Sequence, residues 1–205
     1  MGNAKTLAAY DRPFAPAGSR VGLLGGSFDP AHAGHVHISK QAIKKFDLDA
    51  IWWLASPGNP LKENQPASMV RRIKAANDLI NTPKITVSDF EGKIGTRYTS
   101  ETLAALLPLY PKVSFVWLMG ADNLPNFHHW QDWRWIMENI HVGVLARPGD
   151  RMAARCAKAA DTFRQAKLGA QKSRHLLDYP LPRWCFVNVP MVTDSSTKLR
   201  NSGKW

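Results

Sequence analysis

The stretch GGSFDPAHAGH, from Gly25 to His35, concentrates groups that bind anions. It follows the apolar run VGLL and leads into VHISKQAIKKF, which has the spacing of a helix. Gly25 and Gly26 allow a sharp turn and the close approach of a ligand. The Asp29-Pro30 pair makes a non-helical corner, because the residue before a proline avoids the α region. A helix starting near Ala33 or Gly34 presents amides with no intrahelical partner and the positive end of its dipole. Such an end attracts phosphate, and His32 and His35 beside it can each donate an N–H to a phosphate oxygen. The turn holds neither a Walker lysine motif nor G-x-G-x-x-G, so a dinucleotide fingerprint is absent. A zinc site would have only Asp29 and His37 to add to the two histidines, with no cysteine close by, and is set aside.

These residues need a scaffold that puts a turn between a strand and a helix. Apolar runs that read as strands occur at 20–26, 50–56, 84–88, 113–120, 141–147 and 184–189. Helical patterns lie between them, at about 34–46, 68–80, 99–109, 130–138 and 151–168. Strand and helix in alternation predict an α/β fold, a Rossmann-like doubly wound parallel sheet in a single domain. The near-continuous apolarity of the runs suits strands buried on both faces. In such sheets ligands bind beyond the carboxyl ends of the strands, where the 25–35 turn falls. Residues 1–19 read as a loose leader and 20–205 as the domain. Of the eight tryptophans, Trp52, Trp53 and Trp117 fall within strands and are assigned to the core, and Trp133 and Trp135 to the same helix as Trp130.

Composition limits the remaining classes. The hydrophobic fraction is 44% and the formal net charge +11. No apolar run approaches the ~20 residues that span a bilayer, and the first residues lack the apolar block of a signal peptide. Cys156 and Cys185 lie far apart in no metal-like spacing, which suits a reduced, cytoplasmic protein. The positive charge fits either nucleic acid or a phosphorylated small molecule. Between 151 and 174 the basic residues Arg151, Arg155, Lys158, Arg164, Lys167, Lys172 and Arg174 face a single acid, Asp161. Only Phe163 falls among them, short of the interleaved aromatics that a single-strand platform requires, so this stretch reads as a solvated helix face and nucleic acid is not favoured.

GGSFDPAHAGH resembles the signature of the nucleotidylyltransferase superfamily, G-G-[ST]-F-D-P-x-H-x-G-H, and SSTKLR (Ser195 to Arg200) resembles its second signature, S-S-T-x-[IL]-R. Further segments are similar to those of one branch, the nicotinate-nucleotide adenylyltransferases: SPGNPLK ending at Lys62, RYTSETL (97–103), GADNLPNFHHW (120–130) and VLARPG (144–149). The resemblance covers residues 20 to 200. It departs from the branch at Leu61, where many members carry histidine, and at Arg97, where serine is common. Many relatives also continue into a further helix, whereas this sequence ends at Trp205.

The resemblance implies transfer of AMP from ATP to nicotinate mononucleotide in NAD biosynthesis, giving nicotinate adenine dinucleotide and pyrophosphate. Mg²⁺ would ride on the substrate phosphates rather than in a protein cage. It assigns His35, His32 and Arg200 to catalysis. Gly25, Gly26, Ser27, Phe28, Gly120, Asp122, Ser195, Ser196 and Thr197 join them around ATP. The serines and Thr197 would cap a second helix that faces the β- and γ-phosphates, with Arg200 as a bidentate clamp. Lys62, Tyr98, Thr99, Trp130 and Arg147 fall to the acceptor side. There a helix starting at about Thr99, with Thr99 or Ser100 as N-cap, would offer amides to a carboxylate. Alternatives are another acceptor, such as nicotinamide mononucleotide or phosphopantetheine, or a non-catalytic nucleotide- or RNA-binding module. Homo-oligomerisation is left open.

Overall fold

Strands that are apolar on both faces need helices on both, and the chain supplies them in alternation. The computed structural model describes residues 12–57, 66–146 and 157–190. The first half runs β1 (Arg20–Gly26), α1 (Ala33–Phe46), β2 (Ala50–Ala55), α2 (Met69–Leu79), β3 (Ile85–Ser88), α3 (Phe90–Ile94) and α4 (Thr99–Leu106). The second half runs β4 (Ser114–Gly120), α5 (Trp133–Asn139), β5 (His141–Ala146), α6 (Lys158–Thr162), β6 (Lys167–Leu168) and β7 (Trp184–Asn188). The strands form one sheet in the order β3-β2-β1-β4-β5-β7-β6, and every pairing is parallel. The α/β Rossmann-like expectation holds, and all six expected strands are present.

Successive side chains along each strand go to opposite faces. Leu23, Trp52, Leu54, Trp117 and Val142 pack with Leu103, Phe127 and Ile136 on one face. Leu24, Ile51, Trp53, Leu118 and Val187 pack with Val36, Phe46 and Ala76 on the other. Trp52, Trp53 and Trp117 are buried, as the strand assignments require. The chain leaves β1 to one side through β2 and β3, then crosses to β4 and β5 on the other. That reversal opens a crevice between the carboxyl ends of β1 and β4, the usual ligand site of such sheets.

Two local expectations are corrected. The basic stretch does not form one helix over 151–168. Among its described residues α6 ends at Thr162, a 3-10 turn covers Arg164–Ala166, and Lys167 and Leu168 pair with Trp184 and Cys185 of β7. The indole N–H of Trp184 donates to the Phe163 carbonyl at 2.8 Å, taking an acceptor that a continuing helix would need. The described basic residues of the stretch are nonetheless exposed as expected, Arg174 included, although it donates to the Asp47 carboxylate at 2.6 Å. The expected helix over 130–138 is displaced: a 3-10 helix covers Leu124–His129, α5 starts at Trp133, and Trp130 sits in the corner between them. Trp130 therefore does not share a helix with Trp133 and Trp135.

Of the leader, residues 12–19 are described and lie against the fold. The Tyr110 hydroxyl donates to the Pro13 carbonyl at 2.7 Å, and the Gly18 amide donates to the Lys112 carbonyl at 2.6 Å. Among the described residues no helix is long and apolar enough to cross a membrane.

Candidate active site

The turn after β1 is built by its neighbours. A Cβ on Gly25 would stand 2.6 Å from the Trp117 ring, and one on Gly26 would stand 3.3 Å from Phe28. The space that a Cβ would take at each glycine is thus occupied by an aromatic ring. The residue in the left-handed region is Phe28, at φ 47°. Its side chain is buried and stacks on Trp53, rings 4.9 Å apart. What Phe28 can offer a nucleotide is its backbone. The Asp29-Pro30 peptide is cis.

α1 begins after an N-cap at His32, in extended conformation. Nδ1 of His32 accepts the Gly34 amide at 3.1 Å, and Nδ1 of His35 accepts the His32 amide at 3.2 Å. These first-turn amides are paired, contrary to the sequence expectation, because the imidazoles themselves cap the helix. The pairing settles the tautomers. A neutral imidazole accepting at Nδ1 carries its proton on Nε2. Both rings, 3.9 Å apart, therefore present an N–H donor from the edge away from the cap.

Across the crevice, β4 ends at Gly120. A side chain there would collide with the carboxylate of Asp122, which folds back against Gly120. Asp122 is exposed, in the turn whose Asn123 amide donates to the Gly120 carbonyl at 3.1 Å. Trp117 links the two sides, with its ring over Gly25 and 6.4 Å from the half-buried Trp130. Its indole nitrogen is buried with no hydrogen-bond partner.

On the same face, α4 starts at Thr99 as expected, but its N-cap is Tyr98 rather than Thr99 or Ser100. The Glu101 carboxylate accepts the amides of Arg97 and Tyr98 at 3.3 and 3.4 Å. Both amides precede the first turn, so Glu101 leaves the amides from Thr99 on, the ones expected to face a ligand, untouched. The hydroxyl of Ser100, in the first turn, is buried without a partner. Nearby, burial pushes the Glu91 carboxyl up to about 7.

The structure brings Gly25, Gly26, Ser27, His32, His35, Gly120 and Asp122 to the carboxyl edge of β1 and β4. Tyr98, Thr99 and Trp130 lie on helices and corners of the face that holds Trp117. Lys62, Arg147, Ser195, Ser196, Thr197 and Arg200 lie outside the described residues. Sequence reading missed Glu101, Trp117 as a lining residue, and Arg72. Arg72 had a visible signal: it shares the buried stripe of α2 with Met69 and Ala76, where an amphipathic helix places an apolar residue. Among the described residues no three His, Cys, Asp or Glu side chains converge on a metal position.

The 25–35 signature thus forms a turn and a helix capped by two imidazoles, at the crossover of a doubly wound sheet. The cytidylyltransferase-like family model matches residues 23–202. The chain belongs to this family. A curated relative from Ruegeria sp. (strain TM1040), named "Probable nicotinate-nucleotide adenylyltransferase", is 58% identical over 185 residues, 90% of this chain and 98% of its own length. Another of the same name from Ruegeria pomeroyi is 54% identical over 194 residues, 94% of this chain and 91% of its own. These place the chain in the nicotinate-nucleotide adenylyltransferase branch of the family. Among solved structures, the Plasmodium falciparum nicotinic acid mononucleotide adenylyltransferase complexed with NaAD shares the fold, with a TM-score of 0.65 at 18% identity. That match covers 89% of this chain and 83% of the other.

Proposed function

We propose that this protein transfers AMP from ATP to nicotinate mononucleotide, forming nicotinate adenine dinucleotide and pyrophosphate in the cytoplasm. The observation that carries the reading is the pair of Nε2–H donors held at the start of α1. An acceptor phosphate oxygen attacks the α-phosphorus of ATP, a new P–O bond forms, and the bond to the β-phosphate oxygen breaks. The protein needs no nucleophile of its own. It must align two anions and stabilise charge on the departing oxygens. His32 and His35 donate to the triphosphate, while their Nδ1 atoms keep the rings from turning.

The remaining roles rest on the resemblance. Asp122 accepts from the adenosine ribose. Ser195, Ser196, Thr197 and Arg200 bind the β- and γ-phosphates. Lys62 and Arg147 meet the acceptor, Trp130 stacks on its pyridine ring, and Tyr98 and Thr99 form its far wall. The family uses ATP, and Mg²⁺ would accompany it. The described donors are N–H and hydroxyl groups without a carboxylate cage, so the ion would be held by phosphate oxygens, and no step above runs through it.

The test is pyrophosphate release from ATP with separate acceptors. Nicotinate mononucleotide should support turnover far above nicotinamide mononucleotide and phosphopantetheine. A chain that turns over only with phosphopantetheine, or with no acceptor phosphate at all, would refute the assignment.

A further inference from the structure

Arg72 sits where an apolar residue would pack, and its side chain is 2% exposed. Its Nε donates to the Ala67 carbonyl at 2.8 Å; its Nη1 donates to the Ser27 carbonyl at 2.5 Å and the Ser56 carbonyl at 2.9 Å. Ser27 lies in the turn after β1. Ser56 is where the chain leaves β2, and Ala67 is where it returns to α2. The Asp29 carboxylate supports the arginine's charge, which burial otherwise disfavours. It also accepts the Ala67 amide at 3.2 Å, and the Ser56 amide donates to the Gly26 carbonyl at 2.9 Å. One planar fork thus ties both ends of the β2–α2 connection to the turn that carries the imidazoles. Burying a guanidinium is costly, and an apolar residue on α2 would avoid that cost. An apolar residue could not, however, give three carbonyls from three segments a common partner.

We infer that Arg72 is a positioning residue for nucleotidyl transfer: it fixes the phosphate-binding turn relative to the β2–α2 connection, so that the two bound substrates meet in line. The inference rests on the transferase reading above. It touches neither substrate in this account; it sets the frame in which they sit. Misplacing reacting groups by an ångström costs roughly 10²-fold in rate. Lysine keeps the charge but replaces the rigid fork by a point charge on a flexible stem, so it should not substitute.

The experiment compares the full-length chain with Arg72→Lys and Arg72→Gln. Three quantities are measured at a temperature below each protein's thermal midpoint: binding of a non-hydrolysable ATP analogue alone, binding of nicotinate mononucleotide alone, and the single-turnover rate of pyrophosphate formation. The expected result is a rate about 10²-fold lower in both variants, with each separate affinity near the wild-type value. A folded Arg72→Lys protein with the wild-type rate overturns the inference. So does a loss carried wholly by one substrate's affinity, which would make Arg72 part of that pocket. Failure of both variants to fold would make it a stability residue and overturn the inference equally. A wild-type chain that forms no pyrophosphate with nicotinate mononucleotide overturns the transferase reading instead, a result visible before any variant is made.

Discussion

His32 and His35 hold each other's place: the amide of His32 donates to Nδ1 of His35, and Nδ1 of His32 in turn caps the helix on which His35 rides. Each ring therefore has two tasks on two nitrogens. One nitrogen is structural and faces the backbone. The other carries a proton and suits a phosphate oxygen.

The two tasks separate by mutation. Asparagine is a good N-cap acceptor and lacks a donor at the Nε2 position. His32→Asn should keep stability near the wild type while turnover falls. His35→Ala should lower kcat by about 10²–10³, the usual cost of one oriented donor, and cost roughly 1 kcal/mol of stability through the lost capping bond. Thermal melts and steady-state rates on both proteins check this. Wild-type turnover in either folded variant would remove that ring from the chemistry.

Gly25 gives a second contrast. If it is glycine to admit ATP, alanine should raise KM and spare the fold. The Trp117 ring, 2.6 Å from where the methyl would go, predicts the opposite. Gly25→Ala should destabilise by about 1–3 kcal/mol through overpacking. In a Trp117→Leu background the same change should cost much less, since the obstructing ring is gone. Denaturant titrations of the four proteins give the coupling; additive effects would show that Gly25 and Trp117 do not meet.

The sequence showed what is repeated or continuous and hid what is singular. Strands buried on both faces are uninterrupted apolar runs, so β1 was legible residue by residue and β2 and β4 to within one residue. The first signature was legible too, because paired glycines and histidines in one turn have few other uses. The 151–168 stretch misled for a physical reason. Ala159, Phe163 and Ala166 have helical spacing and are buried or half-buried, but short turns docking on Trp133 and Trp184 meet the same demand. Arg72 was overlooked because a lone arginine on a helix reads as a solvated charge, although its place on the apolar stripe of α2 marked it as buried. Only the tertiary structure brings three carbonyls to it. The start of α4 was legible but its N-cap was not: Tyr98 takes that place because Glu101 reaches back to two amides, and that bond depends on backbone geometry rather than residue type.

Glu91 makes stability depend on pH. Burial raises its carboxyl from an ordinary 4.5 to about 7 in the folded protein. Between those values the native state holds a proton that the unfolded chain has released, so stability falls as pH rises through this window. The full loss is on the order of 3 kcal/mol and is complete above pH 7. Glu91→Gln cannot ionise. It should match the wild type near pH 4 and melt at a higher temperature than the wild type at pH 8. Parallel melting profiles for the two proteins from pH 4 to 8 would show that Glu91 is not the titrating group.

The last expectation is that the acceptor's acid form is preferred to its amide. The first-turn amides of α4, from Thr99 on, lack intrahelical partners, and the buried Ser100 hydroxyl has none either. Together with the positive end of the helix they favour a carboxylate. A carboxamide would bring its own NH₂ donors against these donors. Glu101 opposes the effect with its negative charge, but it is exposed and its charge is already engaged by the Arg97 and Tyr98 amides. Solvent screens it, while the donors beside a bound ring are dry, so the donors win. Losing one charge-assisted bond costs roughly 1.5–3 kcal/mol, or on the order of tenfold to a hundredfold in kcat/KM. Ser100→Ala should narrow that preference without destabilising the free protein, because it deletes a hydroxyl that nothing satisfies. Measuring kcat/KM for nicotinate and nicotinamide mononucleotide at saturating Mg-ATP, in the wild type and in Ser100→Ala, decides the matter. Equal values in the wild type would mean that the α4 corner does not read the acceptor's charge. An unchanged ratio in Ser100→Ala would leave the reading to the backbone amides alone.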